Sequence, residues 1–516
     1  QLSEFVMLRC VPRTVGVLLM SFARLQAASA MAQGPRASTA EIARAVDSMA
    51  AAGVRAGLTP AIGVAVTMDG RTIYAKSHGF ADVTAGVRAD DRTLWYLAST
   101  SKSFTGFGIS LLANDGVIRF DAPITTLLPN AQWHTGARAQ ELTLAHFLSH
   151  THHLNDNAVV SSAAFTGEIP EARWPSLVAL AEPSGNNDLI YSNFGYNVAA
   201  MVIDRVRPEG WRKYLEERVY KPAGLRETYT RVSGLDARRI AKPHSLGADG
   251  SYKTEPFYKT DKTMNSAGGH IATLGDLARW TIVQMDSGRI DGKQVFPKEA
   301  VELSHRLIAP QTRDQAKRFA FFDREGWGAG WDVGTYEGER MVSRFGGYFT
   351  TRSHLSFLPQ RRIGVVAMST GGAGSNLVDI IAALAYDLEA GRPNARARAE
   401  QRFEQLKSQL APGLRNIAAQ DSVRAARQRQ PLGRPLADFA GAYTEPSYGT
   451  VTFTVRDSRL EYHWGAVYGP AEIYDAAKSQ LRIEIAGSGS VVTFSFPGSG
   501  PATSIELQGT TFTRVR

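Results

Sequence analysis

Two groups of strand-forming segments, far apart in the chain, constrain the fold more than any other feature. Residues 61–68 and 72–76 read as strands around a turn at Asp69-Gly70, and alternating apolar segments return only near 340–368, above all from His354 to Met368. A helical pattern over 40–58 precedes the first group, with Ile42, Ala45, Val46, Met49 and Val54 near helical spacing. The long stretch between the groups is mainly helical, with Pro and Gly breaks. Residues 376–390 then read as a helix closed by Gly391. Strands at both ends with helices between them imply an α/β/α sandwich with a central antiparallel sheet, built from distant parts of the chain, and a helical subdomain.

Beyond Gly391 the pattern changes twice. Residues 392–433 are rich in Arg, Ala and Gln and poor in large apolar groups, which predicts a linker with partial helix. After Pro435 the segments Val451–Val455, Leu460–Trp464, Leu481–Ile485, Val492–Phe496 and Ile505–Leu507 alternate strictly between Gly, Ser and Pro turns. Such spacing predicts a small antiparallel β-barrel or sandwich. The expected organisation is a targeting segment with an upstream extension (1–33), an α/β body (34–391), a basic linker (392–434) and a C-terminal barrel (435–516). A length of 516 residues suits two or three domains.

The net charge is +9, and the basic linker alone holds ten Lys or Arg against three acids. The body is close to neutral. A nucleic-acid partner requires clustered cations with aromatic or groove-fitting support, so the linker reads as a solvated connector and no nucleic acid is expected to bind. From Met7 onward the order is Arg9 and Arg13, an apolar run from Val15 to Ala23, and small residues at Ala28-Ser29-Ala30 and Ala30-Met31-Ala32. This is the pattern of a signal peptide, and the run is too short to remain as a membrane span. The expected location is periplasmic or secreted. The single cysteine, Cys10, lies in that segment. After processing, neither a disulfide framework nor thiol catalysis would be available.

Chemistry concentrates in three short motifs. Ser99-Thr100-Ser101-Lys102 opens a helical pattern over 99–115. Ser99 and Lys102, three apart, share a helix face, and the free N–H groups of a first turn favour a developing oxyanion. Burial would weaken the preference of Lys102 for its charged form and let it take the serine proton. Tyr191-Ser192-Asn193 supplies a phenol that becomes a base beside a cation and an amide that orients lysine or binds a carbonyl. Arg344-Phe345-Gly346-Gly347 leads into the strand 353–358, where paired glycines allow close backbone approach. The Gly347 N–H is a candidate second oxyanion donor beside that of Ser99.

Together these motifs resemble the serine β-lactamase and penicillin-binding-protein superfamily, most nearly its class C, esterase and D-aminopeptidase branches, over roughly residues 36–390. Supporting stretches are Arg119–Pro129, Phe147–Thr151, Tyr191–Tyr196, Ala267-Gly268-Gly269 with Leu274-Gly275-Asp276, and Gly326–Trp331. The tail is similar to a lipocalin-like domain appended to some serine peptidases of this superfamily. The resemblance implies a serine hydrolase working through an acyl-enzyme: Ser99 as nucleophile, Lys102 and Tyr191 handling protons, and Asn193, Arg344, Gly346 and Gly347 binding substrate or oxyanion. Two departures stand out. Arg344 occupies the cationic place of the third motif, usually Lys-Thr-Gly or His-x-Gly, while a one-residue shift matches Phe345-Gly346-Gly347 to an aromatic-Gly-Gly form. His152-His153 replaces a usual Ser-Gly pair.

No cofactor is implied: there is no dinucleotide or phosphate loop and no Gly-x-Ser-x-Gly elbow. His146, His150, His152 and His153 carry no His-Glu-x-x-His pattern, and packing is the expected role over zinc. The expected substrate is a small molecule or short peptide: a D-amino acid peptide or a linearised cyclic peptide such as linear microcystin. The alternatives are a carboxylesterase, a β-lactamase, or a non-catalytic sensor of cell-wall fragments. A homo-oligomer through the C-terminal domain is a further expectation.

Overall fold

The computed structural model describes residues 34–515 except 156–157, 186–188 and 313–320. The expected signal peptide therefore lies outside the described residues. Helix α1 (Thr39–Arg55) starts at Ser38, where a capping box with Glu41 satisfies the first free N–H groups. Among the described residues the central sheet has nine strands, all antiparallel: β1 (Ala61–Met68), β2 (Arg71–Asp82), β3 (Val87–Arg88), β4 (Ala309–Pro310), β5 (Asp323–Trp327), β6 (Asp332–Tyr336), β7 (Glu339–Tyr348), β8 (Thr351–Leu358) and β9 (Ile363–Ser369). Their order is β4-β5-β6-β7-β8-β9-β1-β2-β3. The early hairpin thus joins the late strands through the β1–β9 pair, with Ile62 opposite Ser369 and Met68 opposite Ile363.

The two faces of β1 explain the sandwich. Ile62, Val64 and Val66 point into one apolar layer with α1 and α5 (Leu377–Glu389). Ala61 and Ala65 point the other way. Gly63 lies so close to Trp95 that a Cβ would sit 2.7 Å from its ring. Small residues on that face let α2 (Lys102–Asn114), α3 (Phe194–Val206) and α4 (Leu274–Met285) pack within the second, larger core. Helix α2 is buried on every side from Lys102 to Leu112, which is why its sequence lacks a polar face. Gly106 permits that burial: a Cβ there would lie 2.3 Å from Ala329 O.

The basic segment is more ordered than its composition predicts. It forms α6 (Ala395–Ser408) and α7 (Leu410–Gln428), with Ala395, Ala399, Phe403 and Leu406 buried against the α1–α5 layer. These four residues recur at helical spacing, a thin apolar stripe that the arginines dilute. Arg398 and Arg392 also meet the buried carboxylate of Asp387. By contrast α7 has no buried residue.

The tail is a closed eight-stranded barrel running in order from β10 (Gly441–Glu445) to β17 (Thr510–Arg514). The five expected strands are present. The three others, Gly441–Glu445, Val467–Asp475 and Thr510–Arg514, are masked in the sequence by Gly, Pro or alternating threonines. Closure removes the exposed edges that a sandwich would leave.

Candidate active site

Ser99 sits in a tight 3₁₀ turn, Ala98–Ser101, that feeds α2. Ala98 before it has φ +46°, a conformation an L-residue adopts only under constraint from its surroundings. The constraint is visible. Leu97 N donates to His270 O at 2.9 Å, and Leu97 O accepts from the Ser353 hydroxyl at 2.7 Å. Ser353 also contacts the Thr100 hydroxyl at 2.8 Å. The turn is thus held from both sides, and Ser99 stays partly accessible.

Lys102 is fully buried. Its Nζ lies 3.2 Å from Ser99 Oγ, 2.7 Å from Asn193 Oδ1 and 2.7 Å from Ala267 O. Burial, reinforced by the Arg344 charge and opposed by Asp332, holds its pKa well below the usual lysine value. A neutral amine has two N–H donors and one lone pair. The two oxygens can accept both hydrogens, which leaves the lone pair for the Ser99 hydroxyl. Asn193 stands at the N-cap of α3 but does not cap it; the Ser192 hydroxyl accepts from Phe194 N instead, at 3.0 Å. The Ala267-Gly268-Gly269 motif serves the same cluster. A Cβ on Gly269 would lie 2.0 Å from Asn265 N, so glycine there permits the turn that presents Ala267 O.

Tyr191 is joined to Ser99 through Arg344. The Arg344 Nη2 donates to Tyr191 Oη at 2.8 Å, and its Nε donates to Ser99 O at 3.0 Å. The Lys102 Nζ lies 5.0 Å from the centre of the Tyr191 ring. Arg344 is 1% exposed, with Asp332 Oδ2 3.6 Å from its Nη1. Its donors therefore face Ser99 O, Tyr191 Oη and Asp332 within the protein. This position beside Tyr191 also favours the alignment that puts Arg344 in the cationic place.

Strand β7 passes directly over the Ala98–Ser101 turn. A Cβ on Gly346 would lie 2.3 Å from Leu97 O, 2.4 Å from Ser353 Oγ and 2.9 Å from Ser99 N, so only glycine fits. Gly347 is exposed at the open side of the same strand. Gly346→Ala is expected to push β7 off the turn and lower kcat/KM about 100-fold, the scale of an ångström misplacement at a reacting centre. Steady-state kinetics beside an unchanged far-UV circular dichroism spectrum checks this.

Several residues around the site had been given no place in it from the sequence. Trp327, from the Gly326–Trp331 motif, packs its ring 4.5 Å from His150 and 5.5 Å from Tyr191. The Arg324 and Arg344 guanidinium groups lie 4.3 and 5.1 Å from that ring, and Asp332 bonds Arg324 at 2.9 Å. In that motif Gly330 has φ +87° and lies against Lys102 O, where a Cβ would be 2.2 Å away. The position of Asp332, immediately after the motif, was the available clue. The histidines make local contacts. His150 accepts from Ser192 N at 3.2 Å, and burial holds it neutral. His146 caps the turn at Thr143. His152 accepts from Leu154 N at 3.1 Å. His153 has φ +54°, a backbone conformation that explains why glycine suits its position.

Three comparisons bear on this arrangement. The Beta-lactamase family profile matches residues 44–388. The unguisins hydrolase ungD of Aspergillus violaceofuscus is 25% identical over 420 residues, covering 76% of this chain and 73% of its own. Among solved structures, the octameric penicillin-binding protein homologue from Pyrococcus abyssi superposes with a TM-score of 0.57 at 17% identity, over 90% of this chain and 98% of its own. The D-amino acid amidase from Ochrobactrum anthropi SV3 gives 0.55 at 19% identity, over 69% and 99%.

Proposed function

The chain belongs to the beta-lactamase family of serine hydrolases, related to amidases and peptide hydrolases, and from that premise we propose that it cleaves an amide bond in short or unusual peptides. D-amino acid peptides and linearised cyclic peptides are the substrate classes we favour. The observation that carries the chemistry is the Lys102 Nζ, set between two carbonyl oxygens and the Ser99 hydroxyl. The similarity to a hydrolase of unguisins and to a D-amino acid amidase supports the peptide reading over an ester or β-lactam one.

In this reading Ser99 Oγ attacks the carbonyl carbon while its proton passes to neutral Lys102. The N–H groups of Ser99 and Gly347 bind the oxyanion. Tyr191, with Arg344 on its oxygen, relays a proton to the departing amine. Water then attacks the acyl-enzyme, gives its proton back through the same groups, and frees Ser99.

A matched panel tests the substrate class: D- and L-phenylalanine amides, D-Ala and L-Ala dipeptides, p-nitrophenyl acetate and nitrocefin. The expected result is kcat/KM for a D-configured amide or dipeptide at least about tenfold above its L partner and above nitrocefin. Turnover confined to the ester or to nitrocefin would overturn the peptide assignment and leave the acyl-enzyme chemistry standing.

A further inference from the structure

Lys259 lies outside the constellation above. Its residue is 6% exposed, and burial alone pushes its pKa down to about 7, with no charged neighbour contributing. A buried ammonium without a carboxylate is costly and is retained where something else holds it. Three rings do so here. The Nζ lies 4.4 Å from the centre of Tyr348, 5.3 Å from Tyr96 and 5.6 Å from Phe165, and it donates to Ala164 O.

Each contact belongs to a different part of the molecule. Tyr96 ends a short strand three residues before Ser99. Tyr348 follows Gly347 at the end of β7. Ala164 and Phe165 belong to the turn Ser162–Thr166, on which the barrel rests. The barrel's Ala466 N donates to Thr166 O at 2.7 Å, and its Thr450 N donates to Glu168 Oε2 at 3.1 Å. On a third side the barrel's Gly487 abuts Phe349, with φ +90° and room for a Cβ only 3.0 Å from Phe349 Cα. Ala98, Tyr348 and the barrel's Ala486 share one apolar cluster.

We propose that Lys259 is a positioning residue for the acyl-transfer site: its Nζ ties the rings of Tyr348, next in the chain after Gly347, and Tyr96, three residues before Ser99, to the turn that carries the docked barrel. The barrel is then part of what holds the oxyanion edge in place. This rests on the acyl-enzyme reading above. An apolar side chain of similar length fills the cage but has no charge for the rings to hold. Because the oxyanion donors act on charge that develops only in the transition state, loosening them lowers kcat and leaves KM nearly untouched.

The test uses the full chain as wild type, Lys259→Met, Lys259→Arg, Glu168→Ala, and the Lys259→Met, Glu168→Ala double variant. Two readouts are taken: p-nitrophenyl acetate kinetics, and amide hydrogen exchange over 162–168 and 345–350. Lys259→Met is expected to lower kcat about tenfold with KM within about twofold, and to speed exchange in both segments. Lys259→Arg, which keeps the cation, is expected to recover most of the loss. Glu168→Ala loosens the barrel seam, and its loss is expected not to add to that of Lys259→Met. A Lys259→Met protein with wild-type kcat and exchange, or fully additive losses, overturns the proposal. A wild type that never acylates overturns the acyl-enzyme reading instead, and exchange in Lys259→Met still reports whether the cage holds the two segments.

Discussion

Ser99→Ala is expected to lower hydrolysis of any substrate by on the order of 10⁵-fold, the scale seen when a serine nucleophile is removed from a preorganised site. The same variant should take up no mass from a fluorophosphonate, whereas the wild type gains a single adduct. Intact mass spectrometry reads this directly. The fold should be almost indifferent. The Ser99 hydroxyl is bonded to Lys102 at 3.2 Å, and the turn is held by backbone groups and by Ser353, so the melting temperature should move by only about 2 °C. Activity kept in Ser99→Ala would show that the nucleophile lies elsewhere. A wild type that takes up no adduct while remaining folded would favour the non-catalytic sensor.

The second large effect is expected at Lys102. Lys102→Met removes the base and should lower kcat about 10³-fold with KM little changed. It also changes how stability depends on pH, and the direction follows from linkage. Burial and the Arg344 charge lower the Lys102 pKa in the folded protein, whereas an unfolded lysine keeps its proton to about pH 10.4. Between those two values the unfolded chain binds more protons, so unfolding becomes harder as pH rises. Stability from this group is complete above the unfolded value and is lost as pH falls through the folded one. Thermal melts of wild type and Lys102→Met from pH 6 to pH 10 should therefore show the wild type gaining on the variant with rising pH. A constant difference across that range would mean that Lys102 is protonated in the folded state. The activity profile gives an independent check: kcat/KM should fall on the acid side as Lys102 takes up its proton.

Much of this molecule was legible in short stretches of sequence. The turn at Asp69-Gly70 marked β1 and β2, and alternation of side chains with period two marked β8, β9 and five barrel strands, because each strand's face is decided by its own residues. Ser99 and Lys102 could be paired because one helical turn brings residues three apart together. The glycines at 346 and 330 mark places where backbone meets backbone. Local pattern failed where the apolar signal was thin or the strand interrupted: α6 hides four buried residues among arginines, and the Val467–Asp475 strand contains Gly469-Pro470.

What the sequence determined by itself, then, is the layer architecture and the identities of the nucleophile, the lysine and the tyrosine as candidates, since these follow from periodicity and from motifs read within a few residues. Tertiary structure alone decided how they are used. Lys102 meets Asn193 across 91 positions, and Arg344 meets Tyr191 across 153. Arg344 becomes a buried strut because Asp332 and Trp327 close around it, and Lys259 finds its rings only when β7, the turn at 162–166 and the short strand before Ser99 converge. Burial and charge environment, which set the proton affinity of a lysine and the direction an arginine faces, are properties of that convergence, and no local stretch of chain encodes them.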